Sequence, residues 1–380
     1  MSTKLKKVLI TGANGFIGKN LNLYLTERKD IQLVSFTRDH PVSQLPELLR
    51  DVDFIFHLAG INRPQDPKDF TIGNADLTQA LCNAVAAVAV ATGKKIPVLC
   101  SSSIQANSDN PYGQSKRAAE EALRTLHRVQ GVPIYVFRLH NVFGKWCKPN
   151  YNSVVATFCH NIARSLPIQI TDPSSRVTLV YVDDVIERFI QLMDGADSSL
   201  DIDGFESVTP QYTANVGYLA EQITAFNNSR TTLVVERVGS GLVRALYSTY
   251  ISYLPPERFS YDLPLYGDER GMFVEMLKTP DCGQFSFFTV LPSVTRGSHY
   301  HHTKTEKFLV LKGVARMRFR HMVTGETCEI AVSGNEPQVV DTIPGWAHDI
   351  TNIGDSEVVV MIWANEVFDR QHPDCIPCQV

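Results

Sequence analysis

Three glycines spaced three residues apart, Gly12, Gly15 and Gly18, stand between a short apolar run and a helical pattern. Glycines at this spacing permit a tight turn, let backbone N–H groups approach a pyrophosphate at a helix N-terminus, and allow close helix–strand packing. The spacing alone is a weak signal, but a strand before it and a helix after it are the required context. The sequence therefore predicts a dinucleotide-binding turn and the sheet that carries one.

Short apolar runs alternate with helical patterns over the first 200 residues. This alternation is typical of a Rossmann-like, doubly wound parallel sheet of the α/β class. The helical pattern is clearest at residues 19–27 and 116–130, and the last one covers residues 216–226. The third strand of the sheet is predicted to be short or absent between Asp39 and Asp53. The predicted strands are residues 8–11, 33–37, 54–59, 98–101 and 134–139.

The pattern changes near residue 262. From there on, strand-like runs lie between Gly, Pro and Asn turns and no helical pattern intervenes, which predicts an all-β barrel or sandwich. We expect two domains, residues 1–245 and residues 246–380, as the length of 380 residues also suggests. The clearest strand-like runs are residues 283–291, 307–311, 314–320, 327–332 and 358–363.

Composition disfavours several kinds of partner. The chain has 36 Lys and Arg against 40 Asp and Glu, a net charge of −4, so it lacks the basic character of nucleic-acid-binding proteins. The longest apolar run, residues 84–91, is too short to span a bilayer, and no signal-peptide pattern is present. The eight cysteines have no framework spacing and are typical of reduced thiols. We expect a cytoplasmic protein with no nucleic-acid partner and no membrane insertion.

The residue after the second predicted strand favours one cofactor. An acid about 20 residues beyond the glycine turn usually binds the ribose 2′-OH of NAD. Arg38 occupies that position here, with Asp39 beside it. A cation suits a 2′-phosphate, so we predict NADPH rather than NADH.

A Tyr-x-x-x-Lys pattern indicates chemistry at a carbonyl group. Tyr112 and Lys116 are one helical turn apart, which brings the ammonium near the phenol. The cation lowers the phenol pKa, so that Tyr112 can give a proton to a carbonyl oxygen or take it back. Upstream, Ser101, Ser102 and Ser103 end a predicted strand and can supply a hydroxyl that orients the same oxygen.

These motifs resemble the extended short-chain dehydrogenase/reductases that act on nucleotide-sugars. The resemblance includes H-L-A-G at residues 57–60, the motif R-L-H-N-V-F-G at 138–144 and V-D-D at 182–184. It implies that Ser103, Tyr112 and Lys116 are catalytic, and that Lys116 also holds the nicotinamide ribose. It implies a nucleotide-sugar contact at Asn141. The implied cofactor contacts, beside Arg38 and Lys116, are Gly12, Asn14, Gly15, Phe16, Ile17, Gly18, Leu58, Ala59 and Gly60.

One departure narrows the reaction. Dehydratases of this superfamily carry acids directly after the catalytic Ser or Thr, whereas Ile104 and Gln105 stand there in this sequence. Without an acid–base pair to eliminate water, we expect reduction or 4-epimerisation instead.

The C-terminal half carries a candidate metal site. His299 and His301 lie two residues apart, so on a strand both face the same side, and Glu306 and His348 can complete a compact site. Three imidazoles and a carboxylate suit Zn²⁺, with Mn, Fe or Ni as alternatives. The spacings resemble the two cupin motifs, the second imperfectly, and imply a cupin barrel.

The same region also resembles the 3,5-epimerases of deoxysugar nucleotides, through D-x-R-G-x-F-x-E at 268–275 and R-G-x-H-Y at 296–300. In those enzymes the His of R-G-x-H removes a proton α to a C4 ketone. The two resemblances conflict, since a metal-bound imidazole is not a free base. We favour His299 as a metal ligand, with Tyr300, His302, Lys307 or Asp341 moving the proton. The metal would then either polarise the enolate oxygen or hold the barrel together.

The chain as a whole resembles the bifunctional enzymes of capsular polysaccharide and O-antigen biosynthesis, in stretches that include residues 58–64 and 143–156. This resemblance implies substrate contacts at Asn62 and Arg63 in a zinc-containing homodimer. It implies C3 epimerisation of UDP-2-acetamido-2,6-dideoxy-β-L-arabino-4-hexulose in the cupin barrel, then NADPH-dependent C4 reduction to the L-talose product, on the route to UDP-N-acetyl-L-fucosamine. A UDP-sugar 4-epimerase with a structural cupin and a non-enzymatic NADP- and sugar-binding sensor remain alternatives.

Overall fold

The chain forms two compact units in a computed structural model. The N-terminal unit comprises Met1–Val142 and Thr178–Gln211, and the C-terminal unit comprises Phe143–Val177 and Tyr212–Val380. The structure describes residues 5–263, 266–268, 271–273, 277, 283–366 and 371–380.

The helices are defined as follows over the described residues. The α-helices are α1 (Phe16–Thr26), α2 (Leu45–Leu48), α3 (Lys68–Phe70), α4 (Leu77–Thr92), α5 (Pro111–Gln130), α6 (Val154–Ala163), α7 (Val182–Met193), α8 (Val216–Thr232) and α9 (Gly241–Ser252). A π-helical segment, Thr71–Asp76, joins α3 to α4. The 3₁₀ turns are Val42–Gln44, Ile104–Asn107 and Pro256–Arg258.

The strands follow the same chain order. They are β1 (Lys6–Thr11), β2 (Ile31–Phe36), β3 (Phe54–His57), β4 (Val98–Ser103), β5 (Ile134–Leu139), β6 (Asn141–Phe143), β7 (Arg176–Tyr181), β8 (Tyr212–Asn215), β9 (Ser260–Asp262), β10 (Tyr266–Asp268), β11 (Gly271–Phe273), β12 (Gln284–Val290), β13 (Thr295–Tyr300), β14 (Glu306–Lys312), β15 (Val314–His321), β16 (Thr327–Ser333), β17 (Gln338–Thr342), β18 (Trp346–Asn352), β19 (Val358–Ala364) and β20 (Ile376–Pro377).

The N-terminal unit is built on a five-stranded parallel sheet in the order β2-β1-β3-β4-β5. This confirms the predicted Rossmann-like fold and each of its five predicted strands. The segment between Asp39 and Asp53 holds a 3₁₀ turn and α2 rather than a strand, as predicted. In a sheet of this order the strand sequence reverses between β1 and β3, and ligands bind at the carboxyl ends of the strands beside such a point.

Helix α4 packs on this sheet as a core helix. Together with the helical residues before it, it forms an apolar stretch, Lys68–Thr92, that by length and composition is long enough to cross a membrane. Its side chains Leu81, Cys82 and Val85 are buried with Ile55 of β3 in one hydrophobic cluster. Burial in this cluster accounts for the apolar side chains that face the sheet, and 33% of the apolar window is buried.

The C-terminal unit contains two five-stranded antiparallel sheets, in the orders β12-β19-β14-β17-β9 and β16-β15-β18-β13-β20. The predicted all-β cupin barrel is confirmed. Strands β17 and β18 were not among the predicted strands. Their buried positions include Asp341, Thr342, Asp349 and Asn352, so polar residues interrupt the apolar pattern from which strands are recognised.

Helix α9 was not predicted either, since the last predicted helical pattern covers residues 216–226. Every residue from Ala245 to Ile251 is buried, so the helix has no amphipathic period to detect. It packs against α6 and α8 within the C-terminal unit. The two compact units meet after residues 142, 177 and 211, and not between residues 245 and 246. The boundary at residue 245 stays a prediction about which residues belong to the reductase domain and which to the cupin domain.

A buried ionic network ties α8 to the barrel. The Lys307 ammonium of β14 donates a hydrogen bond to Oδ1 of Asp341 on β17 at 2.6 Å. The other carboxylate oxygen of Asp341 accepts a hydrogen bond from the Arg230 guanidinium of α8. The Tyr261 hydroxyl lies 3.2 Å from the Lys307 Nζ. Burial alone raises the pKa of the Asp341 carboxyl, but the charges of Lys307 and Arg230 hold that pKa below its ordinary value. Two cations therefore share one buried anion.

We expect Asp341→Ala to lower the free energy of unfolding by about 3–5 kcal/mol, because it leaves two buried cations without their anion. Denaturant unfolding measures this change. Glu329→Ala is the matched control, since it removes a carboxylate that lies 3.9 Å from Arg316 at an exposed site, and it should change the free energy by about 1 kcal/mol or less. Equal losses in the two variants would contradict the account of the network.

Candidate functional site

The glycine turn after β1 is closed so tightly that side chains do not fit. Gly12 has φ +72°, and a Cβ there would lie 2.6 Å from the backbone nitrogen of Ala59. A Cβ on Gly18 would lie 2.2 Å from the Gly12 carbonyl oxygen. Gly15 caps α1 without a side-chain hydrogen bond, so the N–H groups at the helix N-terminus stay available to an anion. The turn has the features that pyrophosphate binding requires.

The remaining predicted cofactor contacts lie around this turn and after β3. Asn14 is exposed in the turn, and Phe16 and Ile17 start α1. The residues Leu58, Ala59 and Gly60 follow the carboxyl end of β3.

Thr11 joins the ends of the two strands. Its Oγ1 accepts a hydrogen bond from the Ala59 N–H at 3.2 Å and lies 2.8 Å from Nδ1 of His57. His57 is buried, with its other ring nitrogen 2.8 Å from Thr78 Oγ1, and burial lowers its pKa to about 3. A neutral His57 therefore acts as a structural bridge between strands and α4.

Arg38 is exposed in the turn that follows β2, as is Asp39. The Asp39 carboxylate accepts a hydrogen bond from the hydroxyl of Thr37 at 3.2 Å. Within the part of the chain that the structure describes, Arg38 has no ion pair. Its guanidinium is thus free to meet an incoming anion.

Tyr112 and Lys116 lie together in the first turns of α5, as predicted. The Lys116 Nζ is 5.9 Å from the centre of the Tyr112 ring and donates to the Ser101 carbonyl at 3.2 Å. The helix begins after Asn110, whose side chain accepts from the Gly113 N–H at 2.8 Å. This cap fixes the turn that carries Tyr112.

Ser103 is the last residue of β4 and so lies at the carboxyl edge of the sheet. Its Oγ accepts a hydrogen bond from the Gln105 N–H at 3.2 Å. The same strand holds Lys116 through the Ser101 carbonyl. The predicted catalytic residues are therefore all carried by β4 and the N-terminal turns of α5.

Two neighbouring elements shape the space around Lys116. Asn74 of the π-helical segment accepts from the Ile61 N–H at 2.8 Å and donates to Ser115 Oγ at 3.0 Å. A Cβ on Gly60 would lie 2.9 Å from Asn74 Oδ1 and 3.2 Å from Lys116 Nζ. Gly60 thus leaves room for the ammonium beside the segment after β3.

Glu120 is a residue of this region that the sequence prediction missed. It is buried one turn beyond Lys116, where it accepts from the Ser102 hydroxyl and binds Arg138 through both carboxylate oxygens at 3.0 and 2.6 Å. The pairing locks α5 against β4 and β5, and thereby fixes Lys116. An acidic residue on the buried face of a predicted helix was the available signal.

The predicted substrate contacts lie on two segments at the carboxyl edge of the sheet. Asn62 and Arg63 are exposed in the segment after β3, and Asn141 is exposed at the start of β6. The Asn141 side chain donates to the Thr178 carbonyl at 3.1 Å. Their roles toward a substrate remain predictions.

The four predicted metal ligands form one cluster in the C-terminal unit. The potential ligand atoms of His299, His301, Glu306 and His348 all lie within 4.8 Å of one another. The His301 Nε2 is 3.2 Å from Glu306 Oε2, and the His348 Nε2 is 3.7 Å from the same oxygen. Glu306 comes from one sheet of the barrel, whereas His299 and His348 come from the other.

A backbone irregularity accounts for the placement of His299. Strand β13 has a bulge between Gly297 and His299, with φ +94° at Gly297. Such a bulge re-aims the side chain that follows it. The expectation that His301 lies on the same strand as His299 is wrong, because β13 ends at Tyr300 and His301 begins the next turn.

The electrostatics of this cluster suit a metal ion. Burial, followed by the neighbouring His348 and His301, lowers the pKa of His299 to about 4. Burial opposes ionisation of Glu306, but its hydrogen bond with His301 and the nearby His348 ring hold its pKa well below the ordinary value. Neutral imidazoles and an ionised carboxylate are the forms that bind metals.

His348 gives the clearest indication that the cluster fits a metal. Both of its ring nitrogens are buried and, among the described residues, neither has a hydrogen-bond partner. Buried polar atoms without partners are costly, and a bound cation would satisfy one of these two. The three imidazoles and one carboxylate match the donor set of a Zn²⁺ site.

Two of the four groups considered for proton transfer are held elsewhere. Lys307 follows Glu306 directly on β14, so its side chain lies on the opposite face of the strand. There it donates a hydrogen bond to Asp341 in the ionic network. Tyr300 and His302 are both buried, with their rings 5.4 Å apart. Arg270 and Glu275, of the epimerase-like motif, lie outside the described residues.

Two protein families match this chain. Residues 8–202 match the NAD dependent epimerase/dehydratase family, and residues 266–376 match the polysaccharide biosynthesis C-terminal domain.

Two of the similar proteins match over nearly the whole chain, and a third matches over half of it. A UDP-2-acetamido-2,6-beta-L-arabino-hexul-4-ose reductase from Pseudomonas aeruginosa is 59% identical, over 98% of this chain and 99% of that protein. The crystal structure of the capsular polysaccharide assembling protein CapF from Staphylococcus aureus is 42% identical, covers 98% of this chain and 100% of its own, and has a TM-score of 0.67. A UDP-glucuronic acid decarboxylase 3 from Arabidopsis thaliana is 25% identical over 50% of this chain and 67% of its own length.

Proposed function

This chain belongs to the NAD dependent epimerase/dehydratase family, and from that premise we propose that it is a bifunctional UDP-sugar enzyme. Its substrate is UDP-2-acetamido-2,6-dideoxy-β-L-arabino-4-hexulose. The cupin barrel inverts C3, and the N-terminal unit reduces C4 with NADPH to give UDP-2-acetamido-2,6-dideoxy-L-talose. This product lies on the route to UDP-N-acetyl-L-fucosamine for capsule or O-antigen.

One observation carries the reductase part of this proposal. The Tyr112 and Lys116 side chains lie side by side at the carboxyl edge of the sheet, where the dinucleotide turn also opens. The reductase that is 59% identical over nearly the whole length supports the choice of substrate.

The residues of α5 and β4 supply the proton chemistry of the reduction. Bound NADPH supplies the hydride that reaches C4. Tyr112 donates its phenolic proton to the developing C4 alkoxide, beside the Lys116 ammonium. Ser103 donates a hydrogen bond to the same oxygen and orients it. Lys116 also holds the nicotinamide ribose.

Arg38 supports NADPH as the cofactor. Its guanidinium is exposed after β2 and can bind a 2′-phosphate. The neighbouring carboxylate of Asp39 bonds Thr37 instead of Arg38. The backbone N–H groups at the start of α1 would hold the pyrophosphate.

We place one Zn²⁺ in the cupin barrel, held by His299, His301, Glu306 and His348. The orphaned ring nitrogens of the buried His348 support this site. Bound Zn²⁺ supplies a Lewis acid that can stabilise an enolate oxygen. The epimerisation base is then another group, because the buried ionic network already engages both Lys307 and Asp341.

The chemistry fixes the order of the two steps. A ketone at C4 makes the C3 proton acidic, so a base can remove it and return it from the opposite face. Once C4 is an alcohol, the C3 proton is no longer acidic. Epimerisation therefore precedes reduction.

The two alternatives are weaker. A 4-epimerase returns its hydride and consumes no net NADPH, whereas the 59% identical relative is named a reductase. A non-enzymatic sensor has no use for the Tyr112 and Lys116 pair, which the chain retains.

We further propose a cytoplasmic homodimer. The cysteines that the structure describes are all free thiols, in keeping with a reducing compartment. Leu291, Val294 and Ile353, on turns of the barrel, and Val314, at the start of β15, are exposed apolar side chains. Such a patch is typical of an association surface.

Light scattering should give twice the 42.4 kDa chain mass, and a monomer mass would contradict the dimer.

Tyr112→Phe should lower kcat for C4 reduction by about 10²–10⁴-fold, because it removes the proton donor. NADPH binding should stay close to that of the wild type. The rate of NADPH oxidation with the 4-keto sugar as substrate measures kcat. Fluorescence titration measures NADPH binding.

Tyr135→Phe is the matched control for this experiment. Tyr135 lies on β5 of the same unit and stacks on Phe54, away from α5. We expect unchanged turnover in this variant. Full turnover in Tyr112→Phe would show that the reductase proposal is wrong.

Arg38→Ala should raise the KM for NADPH by about tenfold or more while changing the KM for NADH little. The lost contact is a charge-assisted bond to the 2′-phosphate, which is worth roughly 1.5–3 kcal/mol and which NADH does not make. Steady-state kinetics with each cofactor measure the two values. Arg50→Ala, at another exposed arginine of this unit, serves as the control. A parallel rise with both cofactors would rule out the assigned role.

A further inference from the structure

We propose that Asp374, near the C-terminal end of the chain, is a positioning residue that sets the geometry of the metal site. This inference rests on the proposed metal site and goes beyond it. Asp374 lies 70 to 72 residues from the segment that it contacts, so its placement depends on the folded barrel and not on local sequence.

The Asp374 carboxylate holds the turn that follows the first two histidine ligands. Its Oδ1 accepts from the His302 N–H at 2.8 Å. Its Oδ2 accepts from the N–H groups of Thr303 and Lys304, both at 2.7 Å, and from the Thr303 hydroxyl at 3.0 Å. Four donors from three consecutive residues therefore converge on one carboxylate.

The backbone of Asp374 acts on a ligand directly. Its carbonyl oxygen accepts a hydrogen bond from Nδ1 of His301. A carbonyl only accepts, so the proton of a neutral His301 ring must sit on Nδ1. That leaves Nε2, which faces Glu306 Oε2 at 3.2 Å, as the ligand atom. A contact of this kind fixes the tautomer and the ring orientation of a metal-bound histidine.

The C-terminal strand keeps Asp374 in register with the site. Strand β20 pairs antiparallel with β13, so that Pro377 lies opposite His299 and Ile376 opposite Tyr300. The Cys378 N–H donates to the Ser298 carbonyl at 2.8 Å. One short segment thus holds the backbone on both sides of the His299–His301 pair.

The opposite side of the same turn is held by α9 and by a lysine. Arg244 donates to the Thr303 hydroxyl, and Ser248 donates to the Thr303 carbonyl at 2.6 Å. The Lys304 ammonium lies 2.8 Å from Glu306 Oε1, which directs the other carboxylate oxygen toward the histidines. Asp374 supplies the contacts to the backbone N–H groups of His302, Thr303 and Lys304.

Zinc affinity of the full-length protein tests the proposal. The metal is removed with a chelator, and the dissociation constant for Zn²⁺ is measured by competition with a chromogenic chelator. We expect Asp374→Ala to weaken binding about 10- to 100-fold, the usual effect of losing a partner that orients a ligand. Asp355→Ala, which removes an exposed carboxylate on the β18–β19 turn, should bind as the wild type does.

The His348→Ala variant distinguishes a failure of the proposed metal site from a failure of the proposed role of Asp374. If the wild type binds no zinc, or if His348→Ala binds as tightly as the wild type, the metal site itself is wrong. If His348→Ala loses zinc while Asp374→Ala binds like the wild type, the site stands and the role of Asp374 is wrong.

A second readout isolates positioning from a general loss of stability. Histidine side-chain ¹H–¹⁵N spectra of the metal-free protein should show a protected Nδ1–H for His301 in the wild type. Asp374→Asn keeps the shape and one acceptor oxygen, so it should stay folded and retain zinc affinity between the wild type and Asp374→Ala. In Asp374→Asn the His301 signal should shift or exchange faster. An unchanged His301 tautomer with unchanged zinc affinity in this variant would overturn the proposal.

Discussion

The N-terminal unit depends on one close backbone approach, that of Gly12 at the end of β1 to Ala59 beyond the end of β3. A Cβ at Gly12 would meet the Ala59 nitrogen at 2.6 Å, so the approach requires glycine. It brings the dinucleotide turn and the segment containing Gly60 to one edge of the sheet, where Gly60 leaves space for Lys116. The predicted dinucleotide turn and the start of α5 therefore share an edge, because the backbones beyond β1 and β3 approach closely there.

Sequence patterns predicted this unit well because its chemistry is local. The glycine turn, the Ser cluster and the Tyr-x-x-x-Lys pair each lie within a few residues of a strand end or a helix start, and the structure has them there. The four residues proposed as metal ligands were also selected from local spacing, and the structure gathers them in one cluster. Glu120, Asp374 and α9 were missed for a different reason. Glu120 and Asp374 act on distant segments through buried contacts, and α9 is buried on all sides and lacks a period.

The two units suit two reactions that share one functional group. A ketone at C4 acidifies the proton at C3 and is also the group that a hydride reduces. A barrel that gathers three histidines and a carboxylate, and a sheet edge that presents Tyr112 beside Lys116, can act in turn on the same carbon skeleton. The order of the reactions then follows from the ketone and requires no further control.

Turnover of the 4-keto UDP-sugar with NADPH in D₂O tests the central claim most directly. Removal and return of the C3 proton in D₂O places deuterium on that carbon, whereas the hydride from NADPH brings none. We predict a reduced product with one carbon-bound deuterium, located at C3 by NMR. A reduced product without deuterium at C3 would contradict the epimerase function and leave the cupin barrel without a catalytic role.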